Sequence, residues 1–187
     1  MPPRLYVPDV LDLNPKPESL DSSRSSGAAP TRRRIRIRVM QALYAVLLSE
    51  QETQQVYENL LSDLWKTLRQ RGLEHPERDT DGQYLIDLFY GSLKHRSEFE
   101  QLVAPKLEHW DWERVAWVDR VLLLMGIYEM LHCPEIPVKV SINEYIDIAK
   151  EYSTDKSSQF VNGILDAIHI ELAASERIRK VGRGQIS

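Results

Sequence analysis

One cysteine in 187 residues, Cys133, excludes an intrachain disulfide and fits a reducing compartment. Glycine is scarce, at eight residues, and no Gly-x-Gly-x-x-Gly or Walker A spacing occurs. Those two kinds of nucleotide loop are therefore excluded. No apolar run reaches the ~18 residues of a membrane span. The greasiest segment, Val118 to Leu131, is interrupted by Asp119, Arg120 and Glu129. The N-terminus lacks the apolar run of a signal peptide. His75, His95, His109, His132 and His169 are scattered, and there is no cysteine pair for zinc. No metal site or cofactor is expected. His132 and Cys133 are adjacent, so on a helix they point about 100° apart and read as helix-end packing. Nothing assembles a nucleophile, a base and an orienting group. The expectation is a cytoplasmic protein that is not an enzyme.

Proline is unevenly spread: six of the ten lie in residues 1–30, with many serines and no helical period. That stretch reads as a disordered leader, in which Leu5-Tyr6-Val7 and Val10-Leu11 are the only docking-like motifs. Charge is equally uneven. The net −4 conceals five arginines in residues 31–38, a net +3 in residues 176–187, and 12 basic against 23 acidic residues between them. Such asymmetry bears on partners rather than on fold.

The body, residues 31–175, shows one helical pattern after another. Thr31 is placed to cap a first helix whose Ile35, Val39, Ala42, Leu43 and Val46 recur at core spacing. A second runs from about Gln54 to Arg71 with Val56, Leu60, Leu61, Leu64, Trp65 and Leu68 inward. Residues Gly72 to Gly82 form a polar loop. A third begins near Asp81 and continues past Lys94, burying Tyr84, Leu85, Leu88, Phe89, Leu93 and Phe99, until Pro105 interrupts it. Trp110, Trp112 and Trp117 surround a short helix and read chiefly as core, since the neighbouring acids would repel phosphates. A central apolar helix runs from about Val118 to His132, ended by Pro134 and Pro137. Ser141 and Glu144 have capping-box spacing and open the next helix, with Asp147 as a solvated charge. After a polar turn, Phe160, Val161, Ile164, Leu165 and Ile168 mark a last helix. With no strand alternation, the pattern predicts an all-α compact helical bundle of about seven helices.

The chemistry lies in the arginines. Arg32, Arg33, Arg34, Arg36 and Arg38 crowd the first two turns of a helix, where they oppose the positive end of its dipole and cost stability. Such a cost suggests that the charges hold something negative, and nucleic acid is the first candidate. Arg34, Arg38 and Gln41 share a face well to one side of the apolar stripe. Five phosphate contacts on a single strand would give a salt slope of roughly −3.5, and three about −2. Selectivity for sequence needs stacking or base-edge groups as well. Tyr44 and Phe160 are the aromatic candidates and Gln41 and Gln159 the base-edge candidates, each also readable as ordinary core or surface.

Four blocks carry a specific resemblance. Residues 32–44 (Arg-Arg-Arg-Ile-Arg-Ile-Arg-Val-Met-Gln-Ala-Leu-Tyr) resemble the opening of the NusB transcription antitermination family. Residues 119–130 (Asp-Arg-Val-Leu-Leu-Leu-Met-Gly-Ile-Tyr-Glu-Met) resemble its central helix. Residues 137–150 and 160–166 (Phe-Val-Asn-Gly-Ile-Leu-Asp) resemble its closing signature. The resemblance spans about residues 31–172, leaving the leader and a basic C-terminal tail, 176–187, outside. It implies an all-α fold of two small helical subdomains. It further implies a protein that pairs with a small-subunit ribosomal protein (NusE), binds boxA-type single-stranded RNA, and joins the RNA polymerase elongation complex with other Nus factors to promote readthrough of ribosomal RNA operons. Carried over by position, the five arginines form the RNA-facing helix, Phe160 stacks on a base beside Gln159, and Tyr44 and Asp119 approach the ribosomal-protein partner. Lys156 stands where the family commonly shows an acid, and Gln159 where it shows a lysine, so the basic charge shifts by one turn. Ile37 and Arg38 stand where relatives carry polar or small residues.

A homodimer covering the arginine face is compatible with the resemblance. Two rival readings remain. One is the RNA-recognition module attached to some RNA cytosine methyltransferases, which expects a following Rossmann-like domain and a catalytic cysteine. The other is a protein-interaction bundle using its acidic body against a basic partner.

Overall fold

A computed structural model describes residues 32–49, 52–69, 80–107 and 111–185. The leader, Thr31, Trp110 and most of the 72–82 loop lie outside the described residues. Seven α-helices are found among them: α1 (Arg32–Ser49), α2 (Thr53–Arg69), α3 (Thr80–Lys94), α4 (Arg96–Val103), α5 (Trp117–His132), α6 (Val138–Tyr152) and α7 (Ser157–Ala174). Short 3-10 turns at Ala104–Lys106, Trp112–Arg114 and Gly182–Gln185 complete the order, and no described residue is in a strand.

The central apolar helix, α5, is buried along nearly its whole length and joins two groups of helices. On one side α1 and α3 pack against it, with α2 on α1; on the other α6 and α7 pack against it and each other. One continuous apolar cluster runs through both groups, from Ile35, Val39 and Leu43 of α1 through Leu122–Met125 to Tyr145, Leu165 and Ile168. Of the expected α1 stripe, Ile35, Val39, Ala42 and Leu43 are buried and Val46 packs at the edge. The α3–α5 contact is close because Gly91 has no side chain: a Cβ there would lie 2.0 Å from the Tyr128 ring.

Two local expectations change, and the basic tail, for which the sequence carried no structural expectation, takes a place on the body. The third helix is divided at His95, whose ring stacks on Phe99 and His132. The helix α6 begins at Val138 with Pro137 at its N-cap, three residues before the capping-box serine. Proline's fixed φ suits a helix start, and Ser141 is thereby carried inside, where it serves the core instead of a cap. Finally, residues 177–184 of the basic tail pack back onto the body. Lys180 Nζ donates to the Glu129 and Cys133 carbonyls at 2.9 and 2.8 Å, capping the C-terminus of α5. Val181 N–H donates to the Pro134 carbonyl at 3.0 Å.

Candidate nucleic-acid interface

The five arginines of α1 separate into two sets. No acid lies in the first turn of α1, but other elements supply several. Arg32 reaches Asp81 at 3.3 Å and Glu135 at 3.0 Å, with its guanidinium 4.3 Å from the Tyr84 ring centre. Arg33 reaches Asp147 at 3.4 Å, which also pairs with Lys150, so Asp147 is no free charge. Arg36 is only 2% exposed. Its Nε and a terminal nitrogen grip both oxygens of Glu129 at 2.7 and 3.0 Å, and Glu144 follows at 3.4 Å. Arg36 is therefore a core residue, which corrects its assignment as an RNA contact. The same pair corrects Glu144, which serves Arg36 rather than a helix cap.

Glu129 is the centre of this knot. Fully buried, it also accepts from Tyr84, from Tyr145 Oη at 2.7 Å and from Ser141 Oγ at 2.7 Å. Burial pushes its pKa up, but the Arg36 charge and the hydrogen bonds outweigh that and hold it below the usual carboxylate range. Sequence reasoning missed the knot, although it left two signals. Arg36, Met40 and Leu43 have i, i+4, i+7 spacing, and Glu129 sits inside an apolar helix where an unpaired carboxylate is prohibitive.

Two arginines remain. Arg34 and Arg38 are exposed, one turn apart on α1; Arg34 has no partner among the described residues, and Arg38 touches only Gln41, at 3.4 Å. Gln41, half-buried, continues the same face. Tyr44, also half-buried, leans on the core.

The start of α7 supplies the other half of the predicted site. Lys156 and Gln159 are exposed, and Phe160 is half-buried against the core edge. The turn before them is held from below by Asp119, which accepts from Ser153 Oγ at 2.6 Å and Ser157 Oγ at 2.8 Å. Asp119 is 5% exposed, and burial raises its pKa against the lowering by the two hydroxyls. It faces inward, correcting its assignment to a partner surface: it anchors the α6–α7 turn. The tryptophans likewise turn to structure, for the Arg120 guanidinium lies 5.5 Å from the Trp112 ring and 4.3 Å from Trp117.

The C-terminal half of α6 and the residue after it contact both α1 and the start of α7. Asp147 ties α6 to Arg33 of α1, and Ser153, just past the helix, meets Ser157 at 2.9 Å. Arg34, Arg38 and Gln41 on α1 and Lys156, Gln159 and Phe160 at the start of α7 are the two halves of one candidate strip, with α6 tied to α1 through Arg33 and to α7 through Ser153. An open groove of about 630 Å³ between α6, α7 and the returning C-terminal segment contains none of these residues. The residues of the strip can bind phosphates and stack bases. Among the described residues no group of three or more His, Cys, Asp or Glu side chains could hold a metal ion, and no helix is long and apolar enough to cross a membrane.

The NusB family model matches residues 33–169, which include both halves of the strip. This chain belongs to the NusB family. The transcription antitermination protein NusB of Chloroherpeton thalassium is 33% identical over 157 residues, covering 83% of this chain and 69% of the relative. That of Salinibacter ruber is 35% identical over 156 residues, covering 83% and 91%. Among solved structures, T. maritima NusB is similar with a TM-score of 0.63 at 32% identity, over 78% of this chain and 95% of its own. A structure of the antitermination factors NusB and NusE in complex with double-stranded RNA shares the fold at 19% identity, with a TM-score of 0.60 over 75% and 96%. The buried knot and the open strip are thus two parts of one NusB-family helix bundle.

Proposed function

We propose that this chain is a cytoplasmic, non-enzymatic transcription antitermination factor. It binds boxA-type RNA together with NusE and acts on the elongation complex. Family membership supports the process, and the observation that carries the binding reading is the sorting of the arginines. Three are neutralised within the fold, whereas Arg34 and Arg38 are left facing solvent on α1, and exposed Lys156 and half-buried Phe160 stand at the start of α7. Single-strand recognition combines such phosphate-binding cations with stacking platforms. The acidic body suits a basic ribosomal protein by charge complementarity. Tyr44 stays in the proposal as a partner contact, and Gln41 and Gln159 as base-edge groups.

The test is fluorescence anisotropy with labelled boxA-like RNA and a scrambled control, with and without NusE, across a salt series. Arg34, Arg38 and Lys156 as the phosphate contacts give an expected slope of log affinity against log salt of about −2. Replacing Arg34 and Arg38 by Ala should weaken binding and flatten that slope while leaving the melting temperature unchanged. Equal affinity for both RNAs in the presence of NusE, or no loss in the double variant, would overturn the reading.

A further inference from the structure

Tyr152 is the last residue of α6 and belongs to none of the roles above. It is half-buried, its inner side against the edge of the apolar cluster. Its place follows from contacts on either side. Asp147, five residues earlier, pairs with Arg33 of α1 at 3.4 Å, and Ser153, one residue later, hydrogen-bonds Ser157 in the first turn of α7 at 2.9 Å. The C-terminal part of α6 therefore forms a seam between the first turn of α1 and the Lys156–Phe160 turn. The electrostatics agree: burial and Glu151 raise the phenol's pKa, while the charges of Arg38 and Arg33 pull it down, so both guanidinium groups are felt at this ring.

An aromatic ring in such a seam is placed to do what neither half can do alone. Phosphates held by Arg34 and Arg38 and a base held at Phe160 need the intervening nucleotide to cross the end of α6. A ring there offers a π-face to any base, and adjacent arginines strengthen such stacking. The seam is also fixed from beneath, since Asp119 accepts hydroxyls from both sides of the turn. We infer that Tyr152 is a second base-stacking residue, which makes Arg34, Arg38, Tyr152 and Phe160 one continuous track for single-stranded RNA across α1, α6 and α7. This inference rests on the RNA-binding reading above.

The experiment uses the full chain with NusE and the same labelled RNA, comparing Tyr152→Ala, Tyr152→Phe and the Arg34→Ala, Arg38→Ala double variant. Tyr152→Ala is expected to lower affinity about 5- to 100-fold. Its salt slope should match the parent's, because stacking removes no phosphate contact; Tyr152→Phe should bind within about twofold of the parent, because the π-face is retained. A merely structural tyrosine would instead flatten the slope as the strip loosens. Photo-crosslinking of 5-bromouracil-substituted RNA to the unmodified chain gives a readout independent of variant folding, with the adduct expected on Tyr152. Unchanged affinity in Tyr152→Ala, an equal loss in Tyr152→Phe, or adducts that avoid Tyr152 would each overturn the inference. If the arginine double variant still loses binding, the RNA-binding reading survives that failure; if it does not, both fall.

Discussion

At the scale of the residue, the fold turns on a carboxylate that could not stand alone. Glu129 accepts five hydrogen bonds, two from Arg36 and one each from Tyr84, Ser141 and Tyr145, so four helices meet at one side chain. Removing one partner of a buried pair leaves the other charged and unsolvated. Glu129→Gln should lower unfolding free energy by about 3–5 kcal/mol in urea denaturation. The pH dependence follows from the direction of its pKa. Because the folded value is depressed, the contribution is complete above the unfolded value, about 4.3, and is lost as pH falls through the folded pKa. The urea midpoint should therefore drop below about pH 4.3, and less steeply in Glu129→Gln. Asp119 has the opposite sign: its raised pKa means that its cost appears as pH rises through that value. Cys133 offers a simpler check. Burial pushes its thiol up to about 12, so it is protonated at neutral pH, and a thiol reagent should label it only after unfolding.

At the scale of the element, the ends of helices carry most of what the chain does. The end of α5 is closed by a lysine from 47 residues further along the chain, and the returning segment fits only because Gly184 is bare. A Cβ at Gly184 would lie 2.0 Å from the Pro134 carbonyl oxygen. Lys180→Met should lower stability by about 1–2 kcal/mol through the loss of two charge-assisted hydrogen bonds. Gly184→Ala should release the segment, read as faster amide exchange at Val181. The start of α7 depends in the same way on Asp119. Asp119→Ala should leave Ser153 and Ser157 without their shared acceptor. RNA affinity should then fall with little change in affinity for NusE, measured by titration calorimetry. Helix α1 carries charges that oppose its own dipole, and acids from α3, α5, α6 and the loop after α5 offset them. Exposed pairs such as Arg33–Asp147 contribute little each, so the buried Arg36 pair carries most of this compensation.

At the scale of the whole molecule, charge is sorted by depth as well as by position. The +5 segment that dominates the sequence becomes two exposed cations, and counting these with Lys156 as the proposed phosphate contacts gives an expected salt slope of about −2 rather than −3.5. Periodicity determined a great deal by itself. Apolar spacing located all seven helices apart from the division at His95, because core burial imposes a 3.6-residue repeat that is visible without coordinates. It also separated the Arg34, Arg38 and Gln41 face from the stripe, and the four blocks carried the family resemblance. What periodicity could not determine was which polar residue faces which. Arg36 and Arg34 are the same residue type two positions apart, and only the presence of Glu129 across the core makes one a buried strut and the other a surface cation. Asp119, Ser141 and Glu144 changed roles for the same reason, and Lys180, which had none assigned, gained one. Hydrogen-bond partners for buried polar groups come from elements distant in sequence, so their pairing exists only once the helices have packed.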